Sequence, residues 1–206
     1  MPFQNPQIAT WNRRYADSEQ TPLAAPSAPL RHAVANVTPG RALDLACGLG
    51  RHAIWLAANG WHVDAVDGSH VAIAQLMSDS QSTGCHEWIT PTLTDLEAEP
   101  PTFIITENHY DLILDFFFLH RPLFEAIRIG IRPGGLFVAA LHIPLLSSPS
   151  EPAQTNQPHK YLLEPRELER TVASWKWKIL HSLERAASTQ DQGYAVAELV
   201  ARKPNR

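Results

Sequence analysis

Two glycines in a short turn are the first feature of the sequence whose spacing suits a chemical role. Gly48 and Gly50 stand in Gly-Leu-Gly-Arg-His-Ala, directly after the apolar run Ala42–Ala46 and before a helical pattern. Because glycine has no Cβ and tolerates positive φ, a ligand can come close to the main chain of such a turn. The spacing fits strand-to-helix turns that hold nucleotides. Alone, it fits a tight structural turn equally well.

Two carboxylates extend this pattern. Asp67 ends the apolar run Val63–Val66, where a carboxylate can accept both hydroxyl groups of a ribose. Both a nicotinamide or flavin dinucleotide and S-adenosylmethionine use such a carboxylate, so Asp67 leaves two ligand classes open. Asp44 precedes the first glycine by four residues. A negative charge there attracts the ammonium group of an amino acid and repels a pyrophosphate, which favours S-adenosylmethionine.

Further motifs follow the third and fifth predicted strands. Asp95 and Leu96 offer an acceptor for an adenine amino group and an apolar wall beside the base, although Asp95 also suits a helix N-cap. Arg132-Pro-Gly-Gly135 predicts a tight reversal with a structural role.

Together these motifs resemble those of class I S-adenosylmethionine-dependent methyltransferases, over about residues 8 to 203. Within that class the chain is most similar to the small tellurite-resistance and thiopurine-type methyltransferases, which begin with a Trp-x-x-Arg-Tyr element. Trp11, Arg14 and Tyr15 match this element. The resemblance implies an N-terminal arm that covers the cofactor, in which Arg14 pairs with the methionine carboxylate and Tyr15 helps to close the site.

The candidate cofactor-binding residues come from these motifs and from the end of the fourth predicted strand. They are Trp11, Arg14, Tyr15, Asp44, Ala46, Cys47, Gly48, Gly50, Arg51, Asp67, Gly68, Asp95, Leu96 and Asp115.

The expected reaction is methyl transfer to a small-molecule acceptor by in-line displacement, which depends mainly on alignment. A soft or already ionised acceptor needs no strong base. If a base is used, the candidates are His120 and His142, beyond the fourth strand and at the end of the fifth, although each also suits a hydrogen-bonded core position. No Cys/His spacing predicts a metal site. A dinucleotide-dependent oxidoreductase and a non-catalytic S-adenosylmethionine-binding protein remain alternatives.

Short apolar runs that alternate with helical patterns predict an α/β fold. Five strands of a mainly parallel sheet are expected at Ala42–Ala46, Val63–Val66, Trp88–Leu93, Tyr110–Asp115 and Leu136–His142, and an antiparallel C-terminal hairpin at Lys176–Arg185 and Gly193–Arg202. Helices are expected at Ile8–Tyr15, at His52–Asn59, from a cap at Ser69 to about Ser80, at Arg121–Ile131 and near Pro165–Ala173. The resemblance implies the Rossmann-like class I methyltransferase fold, with seven strands and helices on both faces.

Two connections depart from the usual alternation of strands and helices. The segment between Asp95 and Tyr110 contains two prolines and is expected to hold little or no helix. The segment Ile143–His159 is rich in Pro, Ser, Gln and Asn, and its length is typical of an active-site lid.

Length and composition limit the remaining possibilities. The 206 residues suit one methyltransferase domain, residues 41–206, preceded by a proline-rich arm, residues 1–40. A net charge of −4 with scattered basic residues argues against a nucleic-acid partner. Two cysteines, no apolar leader and no long apolar run predict a reducing, cytoplasmic location without a membrane partner. A monomer or a homodimer is expected.

Overall fold

A computed structural model describes residues 5–17, 24–144, 159–186 and 194–205. The described strands form one sheet: β1 Arg41–Leu45, β2 His62–Asp67, β3 Ile89–Leu93, β4 Tyr110–Phe116, β5 Ile131–Ile143, β6 Lys178–Arg185 and β7 Ala195–Arg202. The helices are α1 Pro6–Asp17, α2 Ala28–Val34, α3 Arg51–Ala58, α4 His70–Ser82, α5 Leu123–Gly130 and α6 Glu167–Ser174. Two short 3₁₀ helices lie at His86–Trp88 and His159–Tyr161.

The sheet has the strand order β3-β2-β1-β4-β5-β7-β6. Strands β1 to β5 are parallel, whereas β7 runs antiparallel to both β5 and β6. These pairings confirm the predicted α/β fold, with its mainly parallel sheet of seven strands and its antiparallel hairpin. The chain order reverses between β1 and β4, so the carboxyl ends of these strands border the crevice in which open α/β sheets bind ligands.

Two apolar clusters cover the two faces of the sheet. One cluster includes Ala42, Leu112, Leu114 and residues of α2 and α3, and the other includes Leu43, Ile113 and residues of α5 and α6. All seven residues of β4 are buried, as expected for a central parallel strand with helices on both sides. The core therefore fixes the positions at which β1 and β4 end.

The observed elements differ from the predicted ones mainly near prolines. Helix α2 was not predicted, because several prolines in this region argued against helix, yet Pro29 lies in its first turn, where a missing N–H group is tolerated. Strand β5 begins at Ile131, and a register shift in its pairing with β4 accommodates the Pro-Gly-Gly turn. Residues 94–109 are described throughout and contain no helix, as predicted.

Some predictions fall outside the described residues. Most of the predicted lid, residues 145–158, lies there, as does the turn of the C-terminal hairpin, residues 187–193. Within the described part of the chain, no helix has both the length and the apolar character needed to cross a bilayer.

A polar network joins the strands near their amino ends, whereas the glycine-rich turn follows the carboxyl end of β1. Arg41 Nε donates to Asp64 Oδ2 over 3.1 Å, and the Tyr110 hydroxyl donates to the same oxygen over 2.9 Å. The Arg41 amide donates to Asp111 Oδ2 over 2.8 Å. These contacts join β1, β2 and β4 at a distance from the crevice.

Leu76 in α4 tests how far the core supports the glycine-rich turn. We expect Leu76→Ala to lower the free energy of unfolding by about 2–5 kcal/mol, because Leu76 is fully buried and a cavity would remain. The neighbouring Met77 is 46% exposed, so Met77→Ala should cost less than about 1 kcal/mol. Chemical denaturation followed by circular dichroism measures both, and equal losses would contradict this account of the packing.

Candidate functional site

The glycine-rich turn connects β1 to α3 at the crevice. Its backbone has positive φ at Ala46 (50°), Gly48 (55°) and Gly50 (83°), a conformation that favours glycine. A Cβ on Gly50 would overlap Leu76 Cδ1, so glycine is needed there for the turn to pack against α4. The sequence-based assignment of this segment as a tight turn is therefore confirmed.

Asp67 clamps the turn from the end of β2. Its Oδ2 accepts a hydrogen bond from the Gly48 amide and its Oδ1 accepts one from the Ser69 amide, both over 2.8 Å. The side chain is 7% exposed, and burial raises the pKa of this carboxyl, while the amides of Ser69, Gly48 and Gly68 oppose the rise. Each carboxylate oxygen has a second lone pair, so the clamp leaves acceptor capacity for ribose hydroxyls.

Asp44 and Asp115 lie at the carboxyl ends of β1 and β4, and each is 1% exposed. Among the described residues, Asp44 Oδ2 and Asp115 Oδ1 have no hydrogen-bond partner. Burial raises the pKa of Asp44 to about 7, Arg51 opposes the rise, and Asp67 adds to it. Burial and the nearby Asp44 raise the pKa of Asp115 well above its usual range. Buried carboxyl oxygens without partners are costly, which indicates a place for a cationic ligand group.

Helix α1 lies across the same end of the sheet. A Cβ on Gly48 would lie 2.9 Å from the Tyr15 hydroxyl oxygen, so this phenol rests directly on the turn. Ser69 Oγ donates to Asn12 Oδ1 over 2.6 Å, and Ile8 packs against Gly68. Burial, and then the field of Asp67, raise the pKa of Tyr15.

In the Trp-x-x-Arg-Tyr element, Trp11 stacks on Tyr15 and Arg14 lies over Trp11. The rings of Trp11 and Tyr15 are stacked with centroids 5.5 Å apart. The Arg14 guanidinium carbon lies 4.9 Å from the Trp11 ring centroid, and Arg14 is exposed. Of this element, Tyr15 is therefore in contact with the glycine-rich turn.

The segment after β3 contacts the beginning of α1. Asp95 Oδ1 accepts from the Glu97 amide over 2.9 Å and from Asn5 Nδ2 over 3.4 Å. Asn5 Nδ2 also donates to Glu97 Oε2 over 3.1 Å. Leu96 packs against the apolar cluster that contains Leu43 and Ile113. Asp95 thus stabilises a turn rather than a helix N-terminus.

The two candidate histidines lie in different surroundings. His142 is buried, with its ring centroid 4.8 Å from that of Phe117 and 5.1 Å from that of Tyr194. His120 is half-buried in an open cleft of about 440 Å³ that Glu97 and Lys160 also line. The structure therefore does not bring the two histidines into one catalytic group.

Phe117 is a half-buried aromatic residue that lies beside His142 and Arg51. It follows β4 with φ of 62°, and its amide donates to the Ala140 carbonyl over 2.8 Å. The Arg51 guanidinium lies 6.0 Å from its ring centroid. Phe117 is half-buried, whereas Phe116 is buried in the core against His52, with centroids 4.1 Å apart.

Sequence reasoning missed His52, Asn12 and Ser69 as parts of this region. Burial, and to a lesser extent Arg51, lower the pKa of His52 to about 3, so its imidazole is neutral near pH 7. Ser69 was expected to cap α4, which it does by accepting from the Ala72 amide over 3.1 Å. Its second contact, with Asn12, crosses 57 positions of sequence and leaves no local signal. No group of three or more metal-ligating side chains occurs among the described residues.

Comparisons with known proteins place this geometry in context. A model of the family described as tellurite resistance protein TehB matches residues 15–143, well over half of the chain. No curated protein matches the sequence. The structure of TehB from Haemophilus influenzae superposes with a TM-score of 0.71 at 22% identity, covering 94% of this chain and 67% of that protein.

Two other solved structures show how widely the fold is used. Geranyl diphosphate C-methyltransferase from Streptomyces coelicolor, solved with Mg²⁺, geranyl diphosphate and S-adenosyl-L-homocysteine, has a TM-score of 0.67 at 11% identity, covering 98% of this chain and all of that one. The [4+2]-cyclase SpnF has a TM-score of 0.66 at 15% identity, covering 85% of this chain and 79% of that one. One fold thus carries different reactions, and the residues of each site decide among them.

Asp44 should lower the stability of the ligand-free protein at neutral and alkaline pH. Its folded-state pKa of about 7 exceeds the ordinary value of 3.8, so the unfolded state ionises more easily and stability falls as the pH rises between these values. We expect Asp44→Asn to raise the free energy of unfolding at pH 8 by up to about 4 kcal/mol, and to have little effect at pH 4. Urea denaturation at both pH values measures this difference. A loss of stability at pH 8 would show that Asp44 has a stabilising partner.

Proposed function

The chain belongs to the tellurite resistance protein TehB family of S-adenosylmethionine-dependent methyltransferases, and from this premise we propose that it methylates a small molecule at a soft, readily ionised atom. The observation that carries the cofactor site is the pair of buried, unpartnered carboxyl oxygens beside the glycine-rich turn. An amino-acid ammonium group satisfies such oxygens, and a pyrophosphate does not. The residues that surround the turn therefore fit S-adenosylmethionine.

We assign the cofactor contacts by the chemistry of each side chain. Asp44 and Asp115 receive the ammonium group, Asp67 accepts from the ribose, and Asp95 and Leu96 border the adenine. The main chain from Ala46 to Gly50 supports the nucleoside, with Cys47 within it, while Arg51, Gly68 and Trp11 complete the surroundings. Tyr15 covers the turn, and exposed Arg14 provides a cation that can reach the methionine carboxylate from α1.

The bound cofactor supplies a methyl group on a positively charged sulfonium sulfur. An acceptor held in line with the carbon–sulfur bond would take the methyl group with its own lone pair, and the bonding electrons would stay on sulfur. The protein contributes by alignment and by exclusion of water, and orientation of this kind can contribute about 7–11 kcal/mol. Tyr15 and Phe117 are half-buried rings suited to both tasks.

A soft, ionised acceptor is favoured by the charges near Phe117. The Arg51 guanidinium lies beside this ring and stabilises an anion such as a thiolate or a chalcogen oxyanion. His142 and His120 are the candidate bases for an acceptor that must lose a proton. His142 packs against the rings of Phe117 and Tyr194, whereas His120 lines the open cleft.

We also propose the wider setting of the protein from its composition. The cysteines Cys47 and Cys85 are both free and buried, which suits a cytoplasmic protein. The acidic net charge and the absence of a basic stripe in the sequence favour a small-molecule substrate over nucleic acid or membrane. We expect residues 1–40 to act as a covering arm for a domain of residues 41–206, in a monomer or a homodimer.

Asp67 and Asp64 provide a matched test of the cofactor site, because they lie on the same strand but have different partners. Asp67 bonds the glycine-rich turn, whereas Asp64 bonds Arg41 and Tyr110. We expect Asp67→Asn to weaken the binding of S-adenosylhomocysteine at least tenfold, since it removes a charged acceptor from the ribose and loosens the clamp. Asp64→Asn should retain the affinity. Titration calorimetry measures both variants. No heat with the wild-type protein at high micromolar ligand, or tight binding of a nicotinamide cofactor instead, would refute the proposed function.

The two histidines test whether proton transfer matters. With a thiol acceptor, we expect His120→Asn and His142→Asn each to lower kcat by less than tenfold, because a thiolate needs no base, whereas loss of a general base costs about 10²–10⁴-fold. Transfer of radiolabelled methyl groups to a panel of thiols, phenols, amines and chalcogen oxyanions measures the rates. A larger loss in one variant would assign that histidine as the base.

A further inference from the structure

Asp44 and Asp115 lie on adjacent strands at the point where the strand order reverses. Strands β1 and β4 are paired in parallel, with Leu45 opposite Asp115 and Asp44 opposite Leu114. Both carboxyl groups are almost completely removed from solvent, and each keeps one oxygen without a hydrogen-bond partner in the described residues. Burial disfavours the charged form of each carboxyl group, and the field of Asp44 adds to this effect at Asp115, so the two cannot both ionise easily.

The charged and titratable groups around the pair come from every neighbouring element. Arg51 at the start of α3 is the cation whose field acts on Asp44. Asp67 at the end of β2 adds a negative charge, and the buried thiol of Cys47 lies in the turn between Asp44 and Asp67. Tyr15 of α1 covers the turn and interacts with Asp67. His52, next to Arg51, is held neutral by burial. These surroundings oppose a doubly ionised pair.

We propose that Asp44 and Asp115 hold a proton in the ligand-free enzyme and release it when a ligand's ammonium group arrives, so that the pair selects ligands with a protonated α-amino group. This inference rests on the proposed cofactor site. The proton leaves the Asp44 carboxyl for solvent, and the resulting carboxylate pairs with the ammonium group, while Asp115 remains a neutral carboxylic acid. No electrons are transferred, and the net charge of the site is unchanged.

The exchange makes the binding of amino-acid-bearing ligands depend on pH. Burial places the pKa of Asp44 at about 7, so its carboxyl is mainly protonated at pH 6 and mainly ionised at pH 8. The number of protons released per bound ligand equals the fraction of Asp44 that is protonated before binding. It should be about one at pH 6, about 0.5 at pH 7 and about 0.1 at pH 8. The affinity should correspondingly be about tenfold weaker at pH 6 than at pH 8.

Calorimetry with two ligands tests this exchange on the full chain. S-adenosylhomocysteine carries the α-amino group, whereas 5′-methylthioadenosine keeps the nucleoside and the sulfur but lacks it. Titrations at pH 6, 7 and 8, each in two buffers with different heats of ionisation, give the number of protons released. We expect the stated release and pH dependence for S-adenosylhomocysteine, and neither for 5′-methylthioadenosine.

The variant Asp44→Asn identifies the source of the proton. It should bind S-adenosylhomocysteine with a weak affinity that is constant from pH 6 to pH 8, and without proton release, while its circular dichroism spectrum stays that of the wild type. Asp64→Asn alters a carboxylate that bonds Arg41 and Tyr110 instead, and it should retain the wild-type proton release. An infrared difference spectrum at pH 6 should show a carboxylic-acid carbonyl band that decreases on binding in the wild type and in Asp64→Asn, but not in Asp44→Asn.

The possible failures are distinguishable. Binding of S-adenosylhomocysteine without proton release, equal release with 5′-methylthioadenosine, or wild-type release in Asp44→Asn would overturn the exchange while leaving the cofactor site intact. Failure of both ligands to bind would overturn the exchange together with the proposed function.

Discussion

The carboxylate of Asp67 is the contact on which the geometry of the site depends. It receives the amide of Gly48 with one oxygen and the amide of Ser69 with the other, and so joins the turn after β1 to the beginning of α4. Ser69 in turn caps α4 and donates to Asn12 of α1. Hydrogen bonds to an ionised acceptor are stronger than neutral ones. One buried charge thus orders a turn, a helix and the arm that covers them.

The same region contains groups that oppose folding. Asp44 and Asp115 lie at the end of a closely packed apolar core, and each keeps one carboxyl oxygen without a hydrogen-bond partner among the described residues. Such groups are retained at binding sites because a preorganised, desolvated charge interacts strongly with a ligand of opposite sign. Apolar packing of the surrounding strands and helices must therefore hold the carboxyl groups in place without help from hydrogen bonds at these two oxygens.

The elements that follow local rules were predictable from sequence, and those that depend on distant contacts were not. The central strands are apolar runs, and the turn shows its conformation through two glycines. Helix α2 was missed because Pro29 was interpreted as a helix breaker although it lies in a first turn. The position of Tyr15 on Gly48 is a tertiary contact, and the covering role that the family resemblance implies for Tyr15 stays a prediction. The partnership of Asn12 with Ser69, and the neutral state of His52, arise from tertiary burial that no spacing encodes.

The separation between the amino ends and the carboxyl ends of the strands has a consequence for how such a protein can evolve. Arg41, Asp64 and Tyr110 join β1, β2 and β4 near their amino ends, while three buried carboxyl groups lie towards the carboxyl ends of these strands. Substitutions that strengthen the contacts at the amino ends add to stability without altering the crevice, since distant sites act nearly independently. Descendants in which the amino ends are joined more strongly can tolerate new side chains around the crevice. New acceptors then become accessible without a change of fold.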